Sequence, residues 1–204
     1  MYIYISYVII LEKGMNNIMK VSIGISNHHV HLTKDDYYTL FGNYEIEKIK
    51  DLVQVGEFAS SAKVSIKTEK AVINNLRVLG PFRNYTQVEV SKTDSYILGI
   101  NPPVRNSGEI ENSEVVTIVG PAGEVTKNCC IIATRHIHIN PEDREKFNLL
   151  DKEVVSVKVG NEKSTVLENV YLKESPHGVF EMHIDTDDAN GSLLKNGDVG
   201  EIIF

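Results

Sequence analysis

The chain has 204 residues, 42% hydrophobic and 24% charged, a composition that suits one or two globular domains with real cores and not a disordered chain. Its 21 lysines and arginines against 28 acidic residues give a formal charge of -7, and no long basic run offsets this, which argues against nucleic acid or an anionic membrane as partner. An anionic small substrate would have to find a local cluster of arginines.

Taken from the N-terminus, "MYIYISYVIILEKGMNNIMK" contains an apolar run but no basic n-region and no small-residue cleavage site, and it is too short to span a bilayer. Neither secretion nor membrane insertion is expected. Met15 and Met19 lie just before the first clear strand, so residues 1–19 read as an extension produced by an upstream start. A succession of short β-branched runs follows: "KVSIGIS", "AKVSIKT", "NNLRVL", "TQVEVS", "EVVTIV", "CCIIAT", "EVVSVKV", "STVLENVYL", "GVFEMHI" and "VGEIIF". Most are bounded by Gly, Pro, Asn or Asp, the pattern of a mainly β barrel or sandwich. Helices are predicted to be few and short, beginning after Thr33, after Ser91 with Asp94 three residues on, and after Asn140 followed by Pro141. The adjacent pair Cys129 and Cys130 fits neither a disulfide framework nor a zinc finger, and reads as packed thiols.

Two segments repeat one design. "ISNHHVHLTKDD" begins at Ile25 and "IATRHIHINPED" at Ile132; each runs from an apolar residue through His-x-His to an aliphatic residue, a helix cap and an acidic first turn. Internal duplication is the simplest account, and it predicts two related barrels. Residues two apart share a face only on a strand, so His29 with His31, and His136 with His138, each present two imidazoles to one point if the backbone is extended. Val30, Leu32, Ile137 and Ile139 would then fill the opposite, buried face. "VFEMHID" puts Glu181, His183 and Asp185 on one face, and "NYTQVEV" does the same for Tyr85, Gln87 and Glu89. Five of the chain's seven histidines thus fall in strands that could converge, with a glutamate beside them. Neutral imidazole and carboxylate are the usual protein ligands of zinc, and two metals bridged by one carboxylate need about this many. His28 and His177 are weaker candidates. Arginine suits bidentate contact with phosphate. Arg83 enters the Glu89 strand and Arg135 directly precedes the second His-x-His, whereas Arg105 sits in a loop.

In family order, "GISNHHVHL", "GEFASSAKV", "VLGPFRNYTQVEVSKTD", "LGINPPVRNSG", "IVGPAG", "IIATRHIHI" and "EMHIDTDDAN" resemble the PduL-type phosphotransacylases, or phosphate propanoyltransferases, from about Val21 to the C-terminus. The resemblance implies two related small β-barrels with short capping helices and a di-zinc site between them. One barrel would comprise residues 20–27 and 136–204, the other 28–135. It implies His29 and His31 on one zinc, His136, His138 and His183 on the other, and Glu89 bridging. It further implies Arg83 as phosphate contact and Ser107 as a polar residue near the reacting centre, while Arg135, from its place beside the second His-x-His, joins Arg83 as a candidate for binding the anionic substrates. The implied activity interconverts a short-chain acyl-CoA, propanoyl or acetyl, plus phosphate with acyl phosphate plus free coenzyme A. A cytoplasmic homodimer is expected, without a tag for microcompartment shells. Three positions depart from the family's usual residues: His28 stands for Arg, Glu57 for Gln, and Asp188 for Glu. The competing readings are a metal-dependent acyl-CoA hydrolase, which would not need phosphate, and a non-enzymatic metal-binding module.

Overall fold

In a computed structural model, residues 18–203 are described, so the reading of 1–19 as an extension falls almost wholly outside them. The chain is mainly β and divides into two compact units: Ser26–Thr134, and the flanking residues up to Ile25 and from Arg135 onward.

Within Ser26–Thr134 the strands are β2 (His29–His31), β3 (Lys48–Asp51), β4 (Phe58–Lys67), β5 (Val72–Gly80), β6 (Gln87–Glu89), β7 (Val104–Arg105), β8 (Glu114–Val119) and β9 (Glu124–Ala133). Pairing runs β4-β5-β2-β6-β9-β8 and returns from β8 to β4, which closes a six-stranded barrel. β3 extends it from β4, and β7 from β9. Closure leaves no exposed ladder edge in the ring. Val30, Val64, Ile66, Leu76, Val78, Val88 and Ile118 fill the interior. Each such aliphatic side chain, fully removed from water, contributes roughly 1.5–3 kcal/mol.

The other unit is also a closed six-stranded barrel, ordered β1-β13-β10-β12-β11-β14. Its strands are β1 (Met19–Ser26), β10 (His136–Ile139), β11 (Val154–Val159), β12 (Thr165–Glu174), β13 (Glu181–Asp185) and β14 (Val199–Ile203). Val21, Ile23, Ile137, Ile139, Val157, Val170 and Met182 form its core.

The duplication read from the sequence is also present in the topology. β2 runs parallel to β5 and antiparallel to β6; β10 runs parallel to β12 and antiparallel to β13. Each His-x-His strand is therefore held between one parallel and one antiparallel neighbour. Helices follow at matching points. After β2, Thr33 caps α1 (Lys34–Phe41) by accepting the Asp36 N–H at 3.1 Å, and after β10 Asn140 caps α3 (Pro141–Lys146) by accepting from Asp143 at 2.8 Å. After β6, Ser91 and Asp94 form the full reciprocal capping box of α2 (Lys92–Leu98).

The fourth helix, α4 (Thr186–Gly191) after β13, was not expected: Asp185, assigned to the polar face of a strand, turns out to be its N-cap, accepting from the Asp188 N–H at 2.9 Å. α3 stops at Lys146, and Asn148 just beyond it takes a left-handed conformation at φ 55° that ends the helical path. Among the described residues no helix is long and apolar enough to cross a membrane.

Candidate active site

In the Ser26–Thr134 barrel the register sets His29 directly opposite Glu89 and His31 opposite Gln87. Val30, on the other face of β2, and Leu32, just past its end, are fully buried, so the core fixes which way the two imidazoles point. His29 Nδ1 lies 2.8 Å from the Asn27 carbonyl oxygen, which turns Nε2 toward the Glu89 carboxylate at 3.4 Å. His31 Nε2 is 4.0 Å from the same carboxylate. One ligand atom from each of His29, His31 and Glu89 lies within 4.8 Å of the others. Burial alone would depress the His29 pKa, but the adjacent Glu89 carboxylate outweighs it and holds the value above that of an ordinary histidine. Two buried imidazoles and one carboxylate, with the outer nitrogen of His29 held by a backbone oxygen, form a donor set that fits zinc.

From Glu89 a line of hydrogen bonds leads to Arg83. The Gln87 amide, fully buried, donates from Nε2 to Glu89 Oε1 at 2.6 Å and to Ser107 Oγ at 2.9 Å, and its Oε1 accepts the Gly108 N–H at 2.7 Å. Arg83 Nη1 donates to Ser107 Oγ at 3.1 Å and to the Tyr85 hydroxyl at 2.9 Å; Nη2 donates to Glu57 Oε1 at 2.9 Å. Three of the five guanidinium N–H groups are used, which leaves those of Nε and one on Nη2 without an acceptor among the described residues. Ser107, accepting twice, keeps its own hydroxyl proton to donate.

The second barrel repeats the arrangement with different chemistry at the corners. His136 stands opposite His183 and His138 opposite Glu181. His136 Nε2 and His138 Nε2 are 3.1 Å apart, close to the roughly 3.3 Å between two nitrogens on one tetrahedral zinc at about 2.0–2.1 Å. His183 completes a group whose ligand atoms lie within 4.8 Å of one another. Glu181 Oε2 is 2.8 Å from His183 Nε2. β1 comes close here: a Cβ on Gly24 would lie 2.9 Å from His183 Cδ2 and 3.2 Å from Glu181 Cδ.

The remaining candidates fall elsewhere. Arg135 makes a bidentate pair with Asp188, Nε and Nη2 donating at 2.8 and 2.7 Å, while Nη1 donates to the Glu168 carbonyl at 3.0 Å. His28 Nδ1 meets Asp94 Oδ2 at 3.2 Å, and His177 is exposed in a turn. Cys129 and Cys130 are fully buried free thiols; burial pushes Cys129 up to about 12 and Cys130 higher still, so neither offers a thiolate nucleophile. Gln87 and Glu181 were placed on strand faces by the alternation but not recognised as site residues. The available signal was that each stands two residues before a candidate ligand.

Two closed barrels in one chain, each carrying an imidazole cluster on equivalent strands, form the scaffold of an acyltransferase, as comparison with known proteins establishes. The profile of the phosphate propanoyltransferase family matches residues 22–195. The chain is 42% identical over 186 residues to the phosphate propanoyltransferase of Thermotoga maritima, covering 90% of this chain and 89% of that one. It is 47% identical over 182 residues to that of Priestia megaterium, covering 88% and 84%. The Clostridioides difficile relative of the same name is 39% identical over 199 residues, 95% of each chain. The chain belongs to the phosphate propanoyltransferase family.

Proposed function

We propose that the chain transfers a short acyl group, propanoyl or acetyl, between coenzyme A and inorganic phosphate, with zinc held by His29, His31 and Glu89 and by His136, His138 and His183. The observation that carries this reading is the hydrogen-bonded line Arg83–Ser107–Gln87–Glu89, because it couples an anion-binding group to a metal-binding one inside a single barrel. Zinc bound there would supply a Lewis acid toward the thioester carbonyl.

Arg83 binds phosphate through its two remaining N–H groups and orients one oxygen for attack. Ser107 donates its hydroxyl proton toward the charge that develops on the carbonyl oxygen. Gln87 keeps Ser107 and Glu89 in fixed positions. The new bond joins a phosphate oxygen to the acyl carbon, the carbon–sulfur bond breaks, and the proton given up by phosphate ends on the coenzyme A thiol. With both cysteines buried and protonated, direct transfer is favoured over a thiol-bound intermediate. Arg135, with one N–H left on each Nη, contacts an anionic group of coenzyme A. The same reading takes the enzyme as a cytoplasmic homodimer.

The test is release of free thiol from propanoyl-CoA and acetyl-CoA, with and without phosphate, on full-length protein of known metal content. Phosphate-dependent release that chelation abolishes is the expected result, and the two rates rank the acyl groups. Release indifferent to phosphate would mean hydrolysis instead.

A further inference from the structure

Arg83 does not stand alone: its Nη2 is paired with Glu57, the two side chains 18% and 30% exposed. The loop leading into β4 fixes Glu57 from both sides, since its N–H donates to the Gln54 carbonyl at 3.1 Å and its carbonyl accepts the Leu52 N–H at 3.0 Å. A carboxylate is thus built in beside the guanidinium that is read as the phosphate contact. For simple anion capture this is counterproductive, because it cancels the positive charge and would repel any anion seated on the two free N–H groups. It becomes useful if the anion itself carries a proton. At neutral pH inorganic phosphate always has at least one P–OH to donate, whereas sulfate, the same in shape and similar in charge, has none.

We propose that Glu57 is a specificity-determining residue that accepts a hydrogen bond from the P–OH of phosphate bound to Arg83, and so admits protonated phosphate while rejecting fully ionised tetrahedral anions such as sulfate. The inference rests on the reading of Arg83 as the phosphate contact. It assigns the residues two distinct tasks: Arg83 recognises the tetrahedral oxyanion, and Glu57 recognises its proton. Glu57 also favours the nucleophile over the product, since acyl phosphate as a dianion has exchanged its donor hydroxyl for an ester oxygen and faces the carboxylate with charge alone.

The experiment measures, at constant ionic strength, KM for inorganic phosphate and the inhibition constant of sodium sulfate competing with it. Both are determined with propanoyl-CoA as acyl donor, in the wild-type chain and in Glu57→Gln. Glutamine retains an oxygen to accept from Arg83 Nη2, loses the charge, and gains an N–H that can donate to sulfate. The expected result is a fall of at least about tenfold in the ratio of sulfate inhibition constant to phosphate KM, the size of one hydrogen bond to a charged group. KM for propanoyl-CoA stays unchanged. If Glu57 merely positions Arg83, both anions shift together and the ratio stays constant, which overturns the proposal. Arg83→Ala separates the two levels: a phosphate KM that does not move in that variant removes Arg83 from the phosphate site and takes the inference with it. A raised KM there with a constant ratio in Glu57→Gln defeats the inference alone.

Discussion

Gly24 is the position where one methyl group should matter most. Its Cβ would sit 2.9 Å from His183 Cδ2, 3.1 Å from His183 Nε2 and 3.2 Å from Glu181 Cδ, against the 3.5–4.0 Å of a comfortable carbon contact. β1 cannot easily give way, because Met19 to Ser22 are paired with β14 on its other side. The strain in Gly24→Ala therefore falls on the imidazole, which must retreat by roughly half an ångström or more and rotate away from Glu181. Loss of an oriented partner around a metal-binding histidine typically costs 10–100-fold in affinity, about 1.4–2.7 kcal/mol. We expect Gly24→Ala to lose its His136, His138 and His183 zinc to a chelator 10–100 times more readily, while the equivalent bound by His29, His31 and Glu89 is retained. Metal content per chain after stepwise chelator challenge reads both equivalents. Gly191→Ala, whose Cβ would meet nothing within 4 Å, is the control. If Gly24→Ala holds both metals as tightly as the wild type, the proposed crowding of His183 is wrong.

Gln87→Leu, close in size but unable to bond Glu89 or Ser107, should lower kcat by at least about tenfold, with the larger loss in turnover and not in KM for acyl-CoA; steady-state kinetics check the split. Leu76→Ala in the first barrel should cost about 2–5 kcal/mol in urea unfolding, since the side chain is fully buried. Asp36 provides a pH test. Burial would raise its pKa, but the bonds from Lys127 and Thr86 outweigh burial and hold it below its ordinary value of 3.8. A carboxylate with a depressed folded pKa stabilises fully above its unfolded value and loses that contribution as pH falls through the folded one. Asp36→Asn should therefore destabilise the protein at pH 7, and the difference from wild type should shrink as pH drops below about 3.8. A difference that stays constant down to acid would refute the assignment.

The sequence made much of this readable because its strongest signals have a period of two. Val30 and Leu32, alternating with His29 and His31, set both the strand and its buried face, and Ile137 and Ile139 do so for the duplicate. What stayed hidden depends on register between distant strands. The parallel pairing of β2 with β5, and the closure of β8 onto β4, leave no mark in any one segment. Gln87 matters because it faces His31 across the ladder and reaches Glu89 and Ser107, none of which a neutral amide in a β-branched run announces. β3 escaped notice because all four of its residues are exposed and show no apolar alternation, and β7 because it has only two residues. In α4 the local code was ambiguous: an aspartate two residues after a half-buried histidine suits a strand face as well as a helix cap.

The two barrels agree in topology and differ at two facing positions, where Glu89 and Gln87 in one correspond to His183 and Glu181 in the other. Formally, a divalent cation with two neutral imidazoles and a carboxylate retains a single positive charge, whereas one with three neutral imidazoles retains two. A duplicated gene product that began with equivalent halves would thus have acquired a built-in polarity. In the second half the carboxylate, Glu181, sits against His183 and not in the ligand group, so a cation held there would keep more of its charge for a substrate. Divergence at these two positions would give each copy a task the other could not take over, and so a reason for both to persist.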